Sequence, residues 1–136
     1  MEWIKYHEAE KVFDLRTENS TYQMQVREYD TLVHLYYGSP VGDALITDRI
    51  VCVDRGFSGN PYDAGSDRTY SLDALPQEYP SLGTGDFRNY ALNIENADGS
   101  QCCNPVYITH EIAAGKYTLK GLPFVRAEEN EAETLK

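Results

Sequence analysis

Tyr22-Gln23-Met24-Gln25-Val26-Arg27 alternates apolar and polar side chains at every step, which is the period of an extended strand with one buried face. The same period precedes it, where Phe13 and Leu15 oppose Asp14 and Arg16. After it, Leu32 to Tyr37 is apolar or aromatic at nearly every position, a pattern that predicts a strand covered on both sides and therefore central. Towards the C-terminus, Leu92 and Ile94 alternate with Asn93 and Glu95. Beyond Ala97-Asp98-Gly99-Ser100, Val106, Ile108, His110 and Ile112 oppose Tyr107, Thr109 and Glu111. Asp-Gly between alternating runs predicts a hairpin, because Gly accepts the positive φ that a tight turn requires. A short strand, Lys116 to Leu119, is expected after the turn at Ala114-Gly115. No segment carries a sustained helical period with caps. The fold class is all-β, an antiparallel β-sandwich.

Between these outer thirds lies Asp54 to Arg88, far longer than an ordinary connection and punctuated by Gly and Pro. It carries Phe57, Tyr62, Tyr70, Tyr79 and Phe87, aromatic content that a disordered linker lacks. Long ordered loops usually carry function.

Charge narrows the partners. With 22 acidic against 12 basic residues in 136, the formal charge is −10, which repels a phosphate backbone and an anionic membrane surface alike. Neither nucleic acid nor membrane is expected as a partner. The first eight residues, Met1 to Glu8, place charges where a secretory leader needs an apolar run, and a cytoplasmic setting follows. There the three cysteines are expected as reduced thiols, since Cys102 and Cys103 are adjacent and unsuited to an ordinary disulfide. His7, His34 and His110 are too widely spaced for a helical metal pair, and His34 and His110 sit in strand patterns that predict hydrogen-bonded core histidines. No metal site and no cofactor motif is read from the chain.

The 54–88 stretch resembles the N-terminal domain of the bacterial α-galactosidases of glycoside hydrolase family 36, the melibiases. The shared wording is Asp54-Arg55, Phe57-Ser58, Asn60-Pro61, Asp67-Arg68-Thr69, Ser71-Leu72-Asp73, Leu75 through Pro80 and Asp86-Phe87-Arg88. Outside it the likeness continues through Phe13-Asp14-Leu15, Ser20 to Val26, His34 to Gly38, Asp98-Gly99-Ser100, Gly115-Lys116 and Gly121-Leu122-Pro123, in family order. At Gly59 the chain departs from the family, many members of which place Pro there, and Tyr62-Asp63-Ala64-Gly65 reads as an insertion.

The resemblance implies that residues 1–136 are the N-terminal β-sandwich portion of an enzyme hydrolysing terminal α-galactosides of the melibiose or raffinose type with retention. It implies a larger β-supersandwich, with the chain truncated before a catalytic (β/α)8 barrel. Retaining hydrolysis needs two carboxyl groups about 5 Å apart, and in the family these lie in that barrel. The resemblance thus assigns no catalytic residue here, and the chain alone is expected to be inactive.

In tetrameric members of the family the long loop reaches a neighbouring subunit's active site and donates an acidic and a basic residue to the sugar pocket. By motif position these are Asp54 and Arg68, with Phe57 and Tyr62 walling the site. The implied partners are an α-galactoside held at the neighbour's active site, the chain's own barrel domain and further copies in a homo-oligomer. Other readings stay open: Asp54 and Arg68 as an ion pair that merely pins the loop, a stand-alone carbohydrate-binding module, or a purely structural domain. Asp73 to Arg88, with Leu75, Leu82 and two prolines, is expected to pack between domains or subunits. The acidic run Ala127 to Lys136 is expected either to stop inside the family's domain or to form a solvated surface segment.

Overall fold

The structure is a computed structural model that describes residues 2–56, 59–83, 85–123, 126–128 and 130–136. Its main sheet has four antiparallel strands in sequential order: β1 (Ile4–His7), β2 (Val12–Arg16), β3 (Thr21–Val26) and β4 (Leu32–Gly38). β5 (Ile112–Ala114) and β6 (Glu133–Leu135) form a second antiparallel pair. All-β and antiparallel is therefore the correct class.

Tight turns make the sheet a meander. Between β2 and β3, the Thr17 hydroxyl accepts from the Asn19 and Ser20 amides at 3.2 and 3.0 Å, closing the reversal. Between β3 and β4 the chain turns through Tyr29 and Asp30, both at positive φ (57° and 56°). That conformation costs a non-glycine residue energy, and here packing offsets it, because the Tyr29 ring sits edge-on to Tyr70 at 4.8 Å.

Alternation divides the sheet into two covered faces. On one, Val12, Val33 and Leu35 form the core with Ala64, Tyr70, Leu72 and Leu75, all supplied by the long loop. On the other, Phe13 is buried beneath the rings of Tyr6, Tyr107 and His110, with centroids 4.6, 6.1 and 4.8 Å away. His110 is hydrogen-bonded as predicted, its Nδ1 2.8 Å from the Tyr107 hydroxyl, but half-buried rather than in the core.

Four expectations are corrected. β4 is not central but lies last in the sheet. Its outer edge is covered by loop backbone instead, with His34 N donating to Pro76 O at 2.7 Å and Glu78 N to Leu32 O at 3.0 Å. An apolar run reports coverage and does not distinguish a strand from a loop as the cover. His34 is half-exposed and pairs with Glu78 at 3.5 Å. The Asp98-Gly99 turn forms, with Gly99 N donating to Asn96 O at 2.9 Å, but among the described residues its flanks form no strand pair: Leu92 instead makes a parallel bridge to Ser81, and Ile108 is 85% exposed. The local turn is encoded locally, whereas the pairing is not.

Lys116 to Leu119 forms no strand, and Tyr117 N donates to the Thr134 hydroxyl at 2.9 Å. The acidic terminal run contains β6, and Glu133 Oε2 accepts from the amides of Trp3 and Ile4 at 2.9 and 2.7 Å. Both β1 and β6 were absent from the sequence reading. The free thiols of Cys52, Cys102 and Cys103 agree with it. Among the described residues no helix is long and apolar enough to cross a membrane.

Candidate functional site

The long loop is anchored at three points before it presents anything to solvent. Tyr70 is 2% exposed, and its hydroxyl donates to Glu28 O at 2.7 Å. Burial pushes that phenol up to about 12. Leu72 and Leu75, each 1% exposed, complete the core beneath β4. Asn60 then ties the outgoing arm to the returning one, its amide donating to Tyr70 O at 2.6 Å and to Asp67 O.

Asp86 forms the third anchor, an almost fully buried carboxylate. The Arg88 guanidinium donates to it at 2.9 and 2.6 Å and also reaches Leu72 O and Leu75 O at 2.9 and 2.8 Å. Gln77 adds a further bond to Asp86 at 2.8 Å. The 73–88 segment packs on its own sheet through Leu75, Gln77 and Asp86. Tyr79 and Phe87 of this segment turn outward, at 58% and 87% exposure.

The side-chain bonds from Arg88 hold the Asp86 carboxyl below its ordinary range. A carboxyl depressed in the folded state contributes stability above its unfolded pKa of about 4, and that contribution disappears as pH falls through the folded value. We expect acid unfolding to steepen below about pH 4 and the Asp86→Asn chain to have a flatter profile there. Denaturation midpoints measured from pH 6 to pH 2 check this, and parallel profiles for the two chains would refute it.

From these anchors the loop displays Asp54 and Arg68. Arg68 Nη2 lies 3.5 Å from Asp54 Oδ1 and donates to Gly56 O at 2.6 Å, while Gly56 N donates to Asp54 Oδ1 at 2.7 Å. Gly56 stands at φ 76°, the left-handed region that glycine enters without strain. This turn folds Asp54 back towards Arg68, fourteen positions on in the chain. Both side chains remain about half exposed, at 47% and 59%. The pair can accept and donate to a ligand from one side: a carboxylate accepts from neighbouring hydroxyls, and a guanidinium donates a planar fork.

The structure brings Asp54 and Arg68 together as the intraloop ion pair that the sequence held open as an alternative. Phe57 lies outside the described residues. Tyr62 is 98% exposed and lines a separate cleft of about 410 Å³ with Asn60, Asp63, Gly83, Gly85 and Asn104. Sequence reading missed Asn104 and the glycines at this position. The signal that joins them is a backbone contact, since a Cβ on Gly85 would meet Gly59 O at 2.7 Å. Among the described residues no group of three His, Cys, Asp or Glu side chains is placed to hold a metal.

A larger open recess of about 890 Å³ lies elsewhere, lined by Trp3, Leu15, Tyr22, Tyr37 and Glu133 among others. It is remote in sequence from the Asp54–Arg68 loop and was not read from the sequence.

Comparison with known proteins bears on both the fold and the loop. Residues 30–136 match the model of the Glycosyl hydrolase family 36 N-terminal domain. The bifunctional alpha-galactosidase/sucrose kinase AgaSK of Mediterraneibacter gnavus is 56% identical over 133 residues, covering 97% of this chain and 14% of that protein. Alpha-galactosidase AgaA of Geobacillus stearothermophilus is 42% identical over 133 residues, 97% of this chain and 18% of its own length. Among solved structures, the galactosidase domain of AgaSK superposes with a TM-score of 0.92 at 55% identity over 97% of this chain and 18% of that one. A variant of AgaA from Geobacillus stearothermophilus in complex with raffinose gives 0.83 at 44% identity over 92% and 17%. The chain thus spans less than a fifth of the length of these relatives.

Proposed function

Because this chain belongs to the glycosyl hydrolase family 36 N-terminal domain family, we propose that it serves as the N-terminal, non-catalytic domain of an α-galactosidase that removes terminal α-galactosyl groups with retention. In this reading the domain precedes a catalytic barrel and takes part in a homo-oligomer. Its long loop completes the sugar pocket of a neighbouring subunit, with Asp54 accepting from galactosyl hydroxyls, Arg68 donating to a ring substituent, and Phe57 and Tyr62 walling the site.

One observation carries the reading. The two charged residues that the family resemblance marks share one half-exposed turn, held by Gly56 and by an anchored loop, so their geometry is set before a sugar arrives. Preorganised donors and acceptors lose less entropy on binding. The bound relative supports the substrate class, since that AgaA variant was solved with raffinose.

The competing reading, a pair that only pins the loop, is favoured by the direct Arg68 bond to Gly56 O at 2.6 Å. Asp54→Asn in the full-length protein separates the two. Loss of the carboxylate is expected to raise KM for melibiose about tenfold, the effect of one weakened charged hydrogen bond. An unchanged KM with an intact oligomer would establish the structural reading instead.

A further inference from the structure

We propose that the cleft between Tyr62 and Gly85 seats the leaving-group sugar of the α-galactoside, which makes Tyr62 a specificity-determining residue. This rests on the reading that Asp54 and Arg68 meet the galactosyl ring. Three features of the cleft carry the proposal.

The first is a fully presented ring on a fixed backbone. Tyr62 is 98% exposed, yet its backbone is fixed: Pro61 holds φ at −63°, Ala64 N donates to Pro61 O at 3.0 Å, Gly65 N donates to Tyr62 O at 3.1 Å, and Ala64 is buried in the core. A flat, uncovered ring on a fixed backbone is a stacking platform whose backbone cost has already been met.

The second is a floor without side chains. Gly59 and Gly85 touch through their backbones, and a Cβ on Gly59 would come within 2.7 Å of Gly85 O. The cleft of about 410 Å³ exists because neither residue fills it, and its size falls within the range of small-molecule sites. The third is the rim, where the exposed Asp63 carboxylate and Asn104 amide supply acceptors and donors suited to hydroxyl pairs.

This combination of one apolar plane with a rim of carboxylate acceptor and amide donor fits a saccharide, which presents both C–H faces and hydroxyls. The cleft is also coupled to the Asp54–Arg68 turn, because Asp67 N donates to Ala64 O at 2.9 Å immediately before Arg68. The galactosyl group and its leaving group would therefore meet one continuous loop, the leaving group on the Tyr62 side.

The experiment compares raffinose with methyl α-galactoside, whose leaving group is too small to reach the cleft, using the full-length oligomeric protein. Tyr62→Ala is expected to lower the ratio of kcat/KM for raffinose to that for methyl α-galactoside about tenfold, the value of one lost aromatic contact. Tyr62→Phe, which keeps the ring, is expected to preserve the ratio. An unmoved ratio in Tyr62→Ala, or dissociation of its oligomer by light scattering, overturns the proposal, the latter in favour of a subunit anchor. Arg68→Ala lowers both substrates together if the underlying reading holds. No effect of Arg68→Ala on either substrate marks the failure of that reading, separately from the Tyr62 ratio.

Discussion

Arg68→Ala in the full-length protein is expected to lower kcat/KM for α-galactosides about a hundredfold with the oligomer intact, the loss that the proposed role of a charged donor to the sugar predicts. In the free domain the same residue contributes little. Its contact with Asp54 is 3.5 Å long and both side chains are about half exposed, conditions under which an ion pair is worth at most about 1 kcal/mol. The difference between those two magnitudes separates the functional from the structural reading. A pinning role predicts a small change in stability and almost none in kcat/KM, whereas a ligand role predicts the reverse. Arg68→Lys keeps the charge but not the planar fork and falls between the two. Steady-state kinetics beside a melting curve decide the matter, and a hundredfold loss without a shift in melting is the expected pattern.

The second large effect concerns a residue that touches nothing in the site. Leu72→Ala is expected to destabilise the chain by about 3 kcal/mol, the usual cost of a buried Leu cavity. Leu72 is 1% exposed within the cluster of Val12, Val33, Leu35 and Tyr70. It also anchors the loop by its backbone, its carbonyl accepting from both Gln77 and Arg88 at 3.0 and 2.9 Å. Urea unfolding followed by circular dichroism gives the number. A loss below about 1 kcal/mol would mean that the loop rests on the sheet without belonging to its core.

Both effects follow from a division of labour that the sequence shows only in part. β2 and β3 were readable by their period of two, but the single buried face expected of them is not what forms: Val12, Phe13 and Asp14 are all buried in β2, and in β3 Gln23 is fully buried while Tyr22 and Met24 are only half-buried, because both faces of the sheet are covered. β6 was not, because Glu133, Thr134 and Leu135 become a strand only through pairing with Ile112 to Ala114, and no local period announces that partner. β1 carries the right alternation, but four residues are too few to stand out beside the charges around them. The position of β4 failed for a different reason. Its apolar run measured burial correctly, yet the cover on its outer edge is the backbone of Pro76 to Glu78.

At the site, the identity of Asp54 and Arg68 came from motif position, while their contact depends on Gly56 turning through positive φ. Gly and Asp in sequence hint at such a turn, but they do not name the residue that it meets. The Tyr62 cleft lay beyond reach altogether. It arises where Gly59 and Gly85 touch across twenty-six positions, a contact made by two separately anchored arms.

The central claim is that this domain completes a pocket in a neighbouring subunit. It is tested most directly by co-expressing full-length Arg68→Ala subunits with subunits inactivated at the barrel's catalytic carboxylate, and assaying the mixed oligomers on melibiose. Each partner retains what the other lacks, so the account predicts activity well above that of either variant alone. Activity no greater than the sum of the two separate variants, in oligomers shown to be mixed, would contradict it.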